Sequence, residues 1–118
     1  MKFGLSEETI KLICNFFSRY PEIEKVEIYG SRAMGNHERG SDIDLAFYSK
    51  NDKNLTGHLL TGLDELPTPY LFDVTDYYKI SHLPLKEHID RVGKLFYSAK
   101  SNRKILSESG ALCVQTKK

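Results

Sequence analysis

In the stretch Ser41-Asp42-Ile43-Asp44-Leu45, two carboxylates are set two residues apart in an otherwise apolar segment, and shortly upstream lies Gly30-Ser31-Arg32. Successive side chains of a β-strand point to opposite faces, so Asp42 and Asp44 share one face while Ile43 and Leu45 share the other. The acids then lie about 6.6 Å apart along the strand, two rises of roughly 3.3 Å. Carboxyl oxygens about 2.0–2.1 Å from a Mg²⁺ close that gap from both sides. Aspartate is disfavoured in strands, and like charges side by side call for a cation or protons. A merely polar strand face leaves the pair unexplained. Gly30 removes the Cβ that would keep a phosphate from the backbone, and Ser31 offers a hydroxyl and an amide to it.

The elements around this motif are legible from periodicity. Ser6 is placed to cap a helix with Glu7 and Glu8 in its first turn, and Ile10, Ile13, Phe16, Phe17 and Tyr20 recur on one face until Pro21 closes it. Lys25 to Tyr29 alternates as a half-buried strand and ends at Gly30; the strand from Ser41 to Tyr48 pairs with it. Leu55, Leu59, Leu60, Leu63 and Leu66 predict a second helix, although Gly57 and Gly62 each cost it about 1 kcal/mol relative to alanine. Pro69 to Thr75 reads as a third strand, Leu85 to Val92 as a helix capped by Gly93, and Lys94 to Tyr97 as a short strand. The expected architecture is α+β: a small mixed sheet of three to four core strands with helices packed mainly on one face. Residues 1–98 read as one domain, and residues 99–118 as a flexible or partner-ordered tail.

Composition narrows the function classes. The 118 residues are 40% hydrophobic and 28% charged with a net charge of +1, which argues against strong nonspecific binding of nucleic acid, where affinity rests on an excess of Lys and Arg. A nucleotide is the better match. The chain has neither a long apolar run nor an N-terminal signal pattern, so a cytoplasmic location is expected. Cys14 and Cys113 lie far apart without metal-ligand spacing and read as free thiols; His37, His58, His82 and His88 fall in separate elements and read as surface or capping residues.

Gly30-Ser31-Arg32-Ala33-Met34-Gly35, a short polar loop and Ser41-Asp42-Ile43-Asp44-Leu45 together resemble the Gly-Ser…Asp-x-Asp signature of the DNA polymerase β-type nucleotidyltransferase superfamily. The resemblance runs from about Gly4 to Tyr97 and is strongest to the minimal nucleotidyltransferase (MNT) branch. It implies transfer of a nucleoside monophosphate from a nucleoside triphosphate, ATP being the form the family favours, with two Mg²⁺ ions or Mn²⁺ in their place. Two such cations about 3.5–4 Å apart stabilise both ends of the reaction. They call for a third carboxylate, which the resemblance places on the strand after the second helix. Asp73 is the candidate, because it lies inside that strand without a structural use; Asp76, three residues on, points to the opposite face and starts a turn. Asp42 and Asp44 would bind both cations, and Asp73 the one that activates the attacking hydroxyl.

The nucleotide-binding set implied with these acids is Gly30, Ser31, Arg32 and Ser41, with Arg39 a weaker candidate. Arg32 suits either a phosphate or a structural carboxylate, and Ser41 either the strand entry or the nucleotide. Tyr77 and Tyr78 suit either base stacking or core completion. MNT proteins commonly serve as antitoxins to HEPN-domain ribonuclease toxins, adenylylating a tyrosine on the toxin, so a HEPN-type partner and a homo- or hetero-oligomer are implied. The alternatives are transfer to a small molecule such as an aminoglycoside and neutralisation by binding alone.

Overall fold

The computed structural model describes residues 2–38, 40–50, 54–99 and 112–113. Helix α1 spans Glu7–Phe17, with the Ser6 hydroxyl accepting from the Thr9 amide at 3.2 Å; such a cap stabilises a helix by about 1 kcal/mol. Strand β1 (Ile23–Tyr29) runs into a short helix α2 (Gly30–Met34), followed by β2 (Ile43–Ser49) and α3 (Thr56–Asp64). Strand β3 (Phe72–Asp76), a 3₁₀ turn (Tyr77–Lys79), α4 (Leu83–Val92), β4 (Lys94–Ser98) and the two-residue β5 (Leu112–Cys113) complete the described chain.

The sheet order is β3-β2-β1-β4-β5. Strand β1 pairs antiparallel with β2 and with β4, β5 pairs antiparallel with β4, and α3 carries the chain across so that β2 and β3 are parallel. The expected mixed α+β sheet is therefore the observed one. Alternation sorts its two faces. Val26 and Ile28 of β1, Ile43, Leu45 and Phe47 of β2, and Phe72 and Val74 of β3 form the larger core with Ile10, Ile13 and Phe17 of α1 and Leu59 and Leu63 of α3. Each large apolar side chain buried there contributes about 1.5–3 kcal/mol. On the other face Tyr29 and Ala46 pack with Ile89 of α4 in a smaller cluster. That thinner cover leaves the second face available for polar work at its β2–β3 end.

Gly93 caps α4 as expected, in an extended conformation. Two local results differ from the sequence reading. Gly30 begins the helical turn α2, its φ of +76° suiting a residue without Cβ. Cys14, buried in the core, is disulfide-bonded, which corrects the free-thiol expectation. Of the tail expected beyond residue 98, only Ala99 and β5 fall within the described residues. No helix among the described residues is long and apolar enough to cross a membrane.

Candidate active site

Strand register decides where the acids go. Asp44 is the direct partner of Asp73 across the parallel pair β2–β3, and the direct partner of Tyr29 across the antiparallel pair β1–β2. Residues in register share a face, so Asp44 and Asp73 project from the face opposite the larger core, at the N-terminal ends of their strands. Asp42 lies two residues before Asp44 at the strand entry and is exposed. Asp76 is buried on the other face, and its carboxylate accepts from the Tyr78 amide at 3.2 Å to cap the 3₁₀ turn. Asp73, and not Asp76, therefore shares a face with Asp44.

Asp44 feels the charges of the other two carboxylates. Partial burial, then the charges of Asp73 and Asp42, push the Asp44 carboxyl up from 3.8 to about 6, against a smaller opposing pull from Arg32. Burial, and after it Asp73 and Asp44, also push the Tyr29 hydroxyl above its ordinary range, while its contact with the Thr75 hydroxyl at 3.3 Å pulls the other way. Tyr29 and Thr75 are residues the motif reading missed. Tyr29 ends the strand before Gly30, and Thr75 lies two residues after Asp73 on the same face; that alternation was the signal available for Thr75.

Gly30 stands directly against Asp44: a Cβ built there would collide with the carboxylate Oδ2. The space over Asp44 is held open by the missing side chain. Oxygen donors of this kind suit a hard divalent cation, and the mutual repulsion of the acids is what such a cation relieves. Among the described residues, however, no three His, Cys, Asp or Glu side chains are drawn into a closed metal-holding group. The acids are gathered on one patch around Asp44 rather than locked into a cage.

Arg32 and Ser41 serve the loop between α2 and β2. Arg32 is only 3% exposed; its Nε and Nη2 donate to the Ser41 carbonyl at 3.1 and 2.9 Å, its Nη1 donates to the Phe3 carbonyl at 2.8 Å, and it lies over the Tyr70 ring at 5.0 Å. Its acceptors among the described residues are backbone carbonyls. The Ser41 hydroxyl accepts from the Glu38 amide at 2.9 Å, a structural use. Ser31 is part-exposed in the first turn of α2. Arg39 lies outside the described residues.

Tyr77 stacks on Tyr48 with ring centroids 4.5 Å apart, and its hydroxyl donates to Asp90; Tyr78 meets both rings edge-on. They build an aromatic cluster with β2. The histidines remain separate: His88 meets Tyr29 edge-on, His58 meets Tyr20, and His82 precedes α4.

A mixed sheet with paired acids at the start of its parallel strands and a Gly-Ser turn against one of them defines a fold of the nucleotidyltransferase type. The chain belongs to the polymerase beta nucleotidyltransferase family, which it matches over residues 11–102. Among curated proteins none matches it. Its fold is similar to that of a solved toxin-antitoxin with AMP-PNP, at 22% identity over 73% of this chain and 70% of the other, with a TM-score of 0.56. It is also similar to the toxin-antitoxin MntA-HepT, at 17% identity over 82% of this chain and 76% of the other, with a TM-score of 0.55.

Proposed function

We propose that this chain transfers AMP from ATP to a hydroxyl, most simply a tyrosine, of a companion protein, and that it serves as antitoxin to a HEPN-type ribonuclease toxin. The observation that carries the reading is the in-register pairing of Asp44 with Asp73 beside Gly30. Family membership supports the reaction class. The fold likeness to toxin-antitoxin structures, one of them with AMP-PNP, supports the partner and the nucleotide.

Asp42, Asp44 and Asp73 would hold two Mg²⁺ ions, or Mn²⁺. Bound there, the ions would neutralise triphosphate charge and ease ionisation of the attacking hydroxyl. The Gly30 backbone and the Ser31 amide and hydroxyl would receive a phosphate brought up to Asp44, since Gly30 carries no side chain there. The acceptor oxygen forms a bond to the α-phosphorus, the bond from that phosphorus to the bridging oxygen breaks, and pyrophosphate leaves. Asp73, exposed on the edge strand, accepts the hydroxyl proton. That exposure supports an acceptor delivered from outside the chain. Arg32 and Ser41 shape the loop that presents Asp42 rather than touching the nucleotide.

The test is to mix the chain with its companion, ATP and Mg²⁺ and weigh the companion by intact-mass spectrometry. A gain of one or more AMP units is expected. A companion of unchanged mass with every nucleotide and metal tried contradicts the proposal.

A further inference from the structure

At the N-terminus the Lys2 and Leu5 backbones bond to each other, Lys2 N to Leu5 O at 3.2 Å and Leu5 N to Lys2 O at 2.8 Å. The turn between them is made by Phe3 and Gly4, whose φ angles are +56° and +74°. Gly4 accepts that conformation freely, whereas a bulky residue such as Phe3 is strained in it. Strained backbone persists where the surroundings hold it. Here the holders are visible: the Phe3 ring packs toward Phe96 with centroids 6.1 Å apart, and its carbonyl receives Arg32 Nη1. A Cβ on Gly4 would meet the His37 ring and lie 2.9 Å from Arg32 Nη1, so both side-chain ends would have to shift.

We propose that the Lys2–Leu5 turn and Arg32 form a positioning clamp, which fixes the Ser41 carbonyl and through it the place of Asp42 and Asp44. Arg32 spans two segments far apart in sequence. One end is anchored on a strained turn, and the other grips, by two donors, the residue immediately before the first acid. A lysine retains the charge but has no planar fork with which to hold both carbonyls in fixed directions. Arg32 is on this view a positioning residue, and the Phe3-Gly4 turn is the part of the fold that sets where it stands. The link to the acids rests on the reading of Asp42 and Asp44 as a cation-binding pair. The link to the loop stands independently.

The test compares wild type, Arg32→Lys, Gly4→Ala and a control, Gly62→Ala, whose new Cβ would strain the packing against Phe16. Two readouts are taken: hydrogen exchange of the Ser41 amide, which donates to Glu38 O at 3.0 Å, and the dissociation constant for Mn²⁺ alone by titration calorimetry. Arg32→Lys and Gly4→Ala should each speed Ser41 exchange at least tenfold and weaken Mn²⁺ binding by about 10–100-fold, the range for losing a supporting contact behind a metal ligand. Gly62→Ala should leave both within about twofold of wild type. The clamp is overturned if Arg32→Lys shifts Ser41 exchange no more than Gly62→Ala does. Should Arg32→Lys fail to fold, Gly4→Ala decides by the same criterion. If wild type itself takes no Mn²⁺, the cation-site reading falls while Ser41 exchange still judges the clamp.

Discussion

Asp44 and Asp73 are register partners on adjacent parallel strands, so their carboxylates leave the sheet side by side on one face. The acidity of Asp44 follows: it is held near 6 against an ordinary 3.8, first by burial and then by Asp73 and Asp42. A folded-state pKa above the unfolded value means that the folded protein holds this proton more tightly. Its contribution to stability therefore falls as pH rises from about 4 through about 6 and is level above. Asp44→Asn should remove that fall and stabilise the metal-free protein at pH 7 by about 1 kcal/mol, after allowing for screening of a half-exposed carboxylate. Thermal melts from pH 4 to 8 check this; equal pH profiles for the two proteins would contradict it.

The same repulsion predicts a response to divalent ions. At pH 7, Mg²⁺ or Mn²⁺ should raise the melting temperature of wild type, because binding to the folded state alone stabilises it; about 2.7 kcal/mol is gained at a hundredfold excess over the dissociation constant. Asp73→Asn should lose most of that rise while folding normally, since Asp73 is exposed. Melting curves with and without the ions, in matched ionic strength, separate site binding from screening.

Gly30 is predicted to be intolerant of any side chain. Its φ of +76° costs an alanine about 1–2 kcal/mol, and the new Cβ meets Asp44 besides. Gly30→Ala should lower the melting temperature modestly and reduce transfer activity by a much larger factor. Activity falling only in step with stability would show that the opening over Asp44 is not used.

The two glycines of α3 should behave oppositely. Replacing a helical glycine by alanine gains up to about 1 kcal/mol. At Gly57 the new Cβ meets nothing within 4 Å, so Gly57→Ala should stabilise. At Gly62 it collides with the Phe16 ring, and overpacking costs about 1–3 kcal/mol, so Gly62→Ala should destabilise by about 1 kcal/mol. Calorimetric melts of the two variants give the comparison directly.

How much of this was legible in the sequence depended on distance along the chain. Alternation in Asp42-Ile43-Asp44-Leu45 and in Phe72-Asp73-Val74 fixes which side chains share a face, so the acids were readable before any strand was placed. Their pairing needed the β2–β3 register, which α3 imposes and no local pattern encodes. Helix α1 was readable from its cap and its apolar stripe, whereas α2 was hidden because Gly30-Ser31 signals a turn and five residues show no periodicity. The partners of Arg32 were beyond reach for another reason. Phe3 lies 29 residues from it and Ser41 nine, with no local pattern tying either to it, and a buried arginine held by carbonyls has no signature distinct from one that holds phosphate. Tyr77 and Tyr78 were readable as aromatic residues following a strand, but only the fold shows Tyr48 beneath them.

The most direct test of the account is the rate of AMP transfer from labelled ATP to the companion protein, measured for wild type, Asp44→Asn, Asp73→Asn and the double variant. Residues working on one reacting centre are strongly non-additive. Each single variant should lose at least about a hundredfold in rate, and the double variant should be little slower than either single one. Asp73→Asn transferring AMP at the wild-type rate would contradict the account, because the register pairing of Asp44 with Asp73 would then have no part in the chemistry.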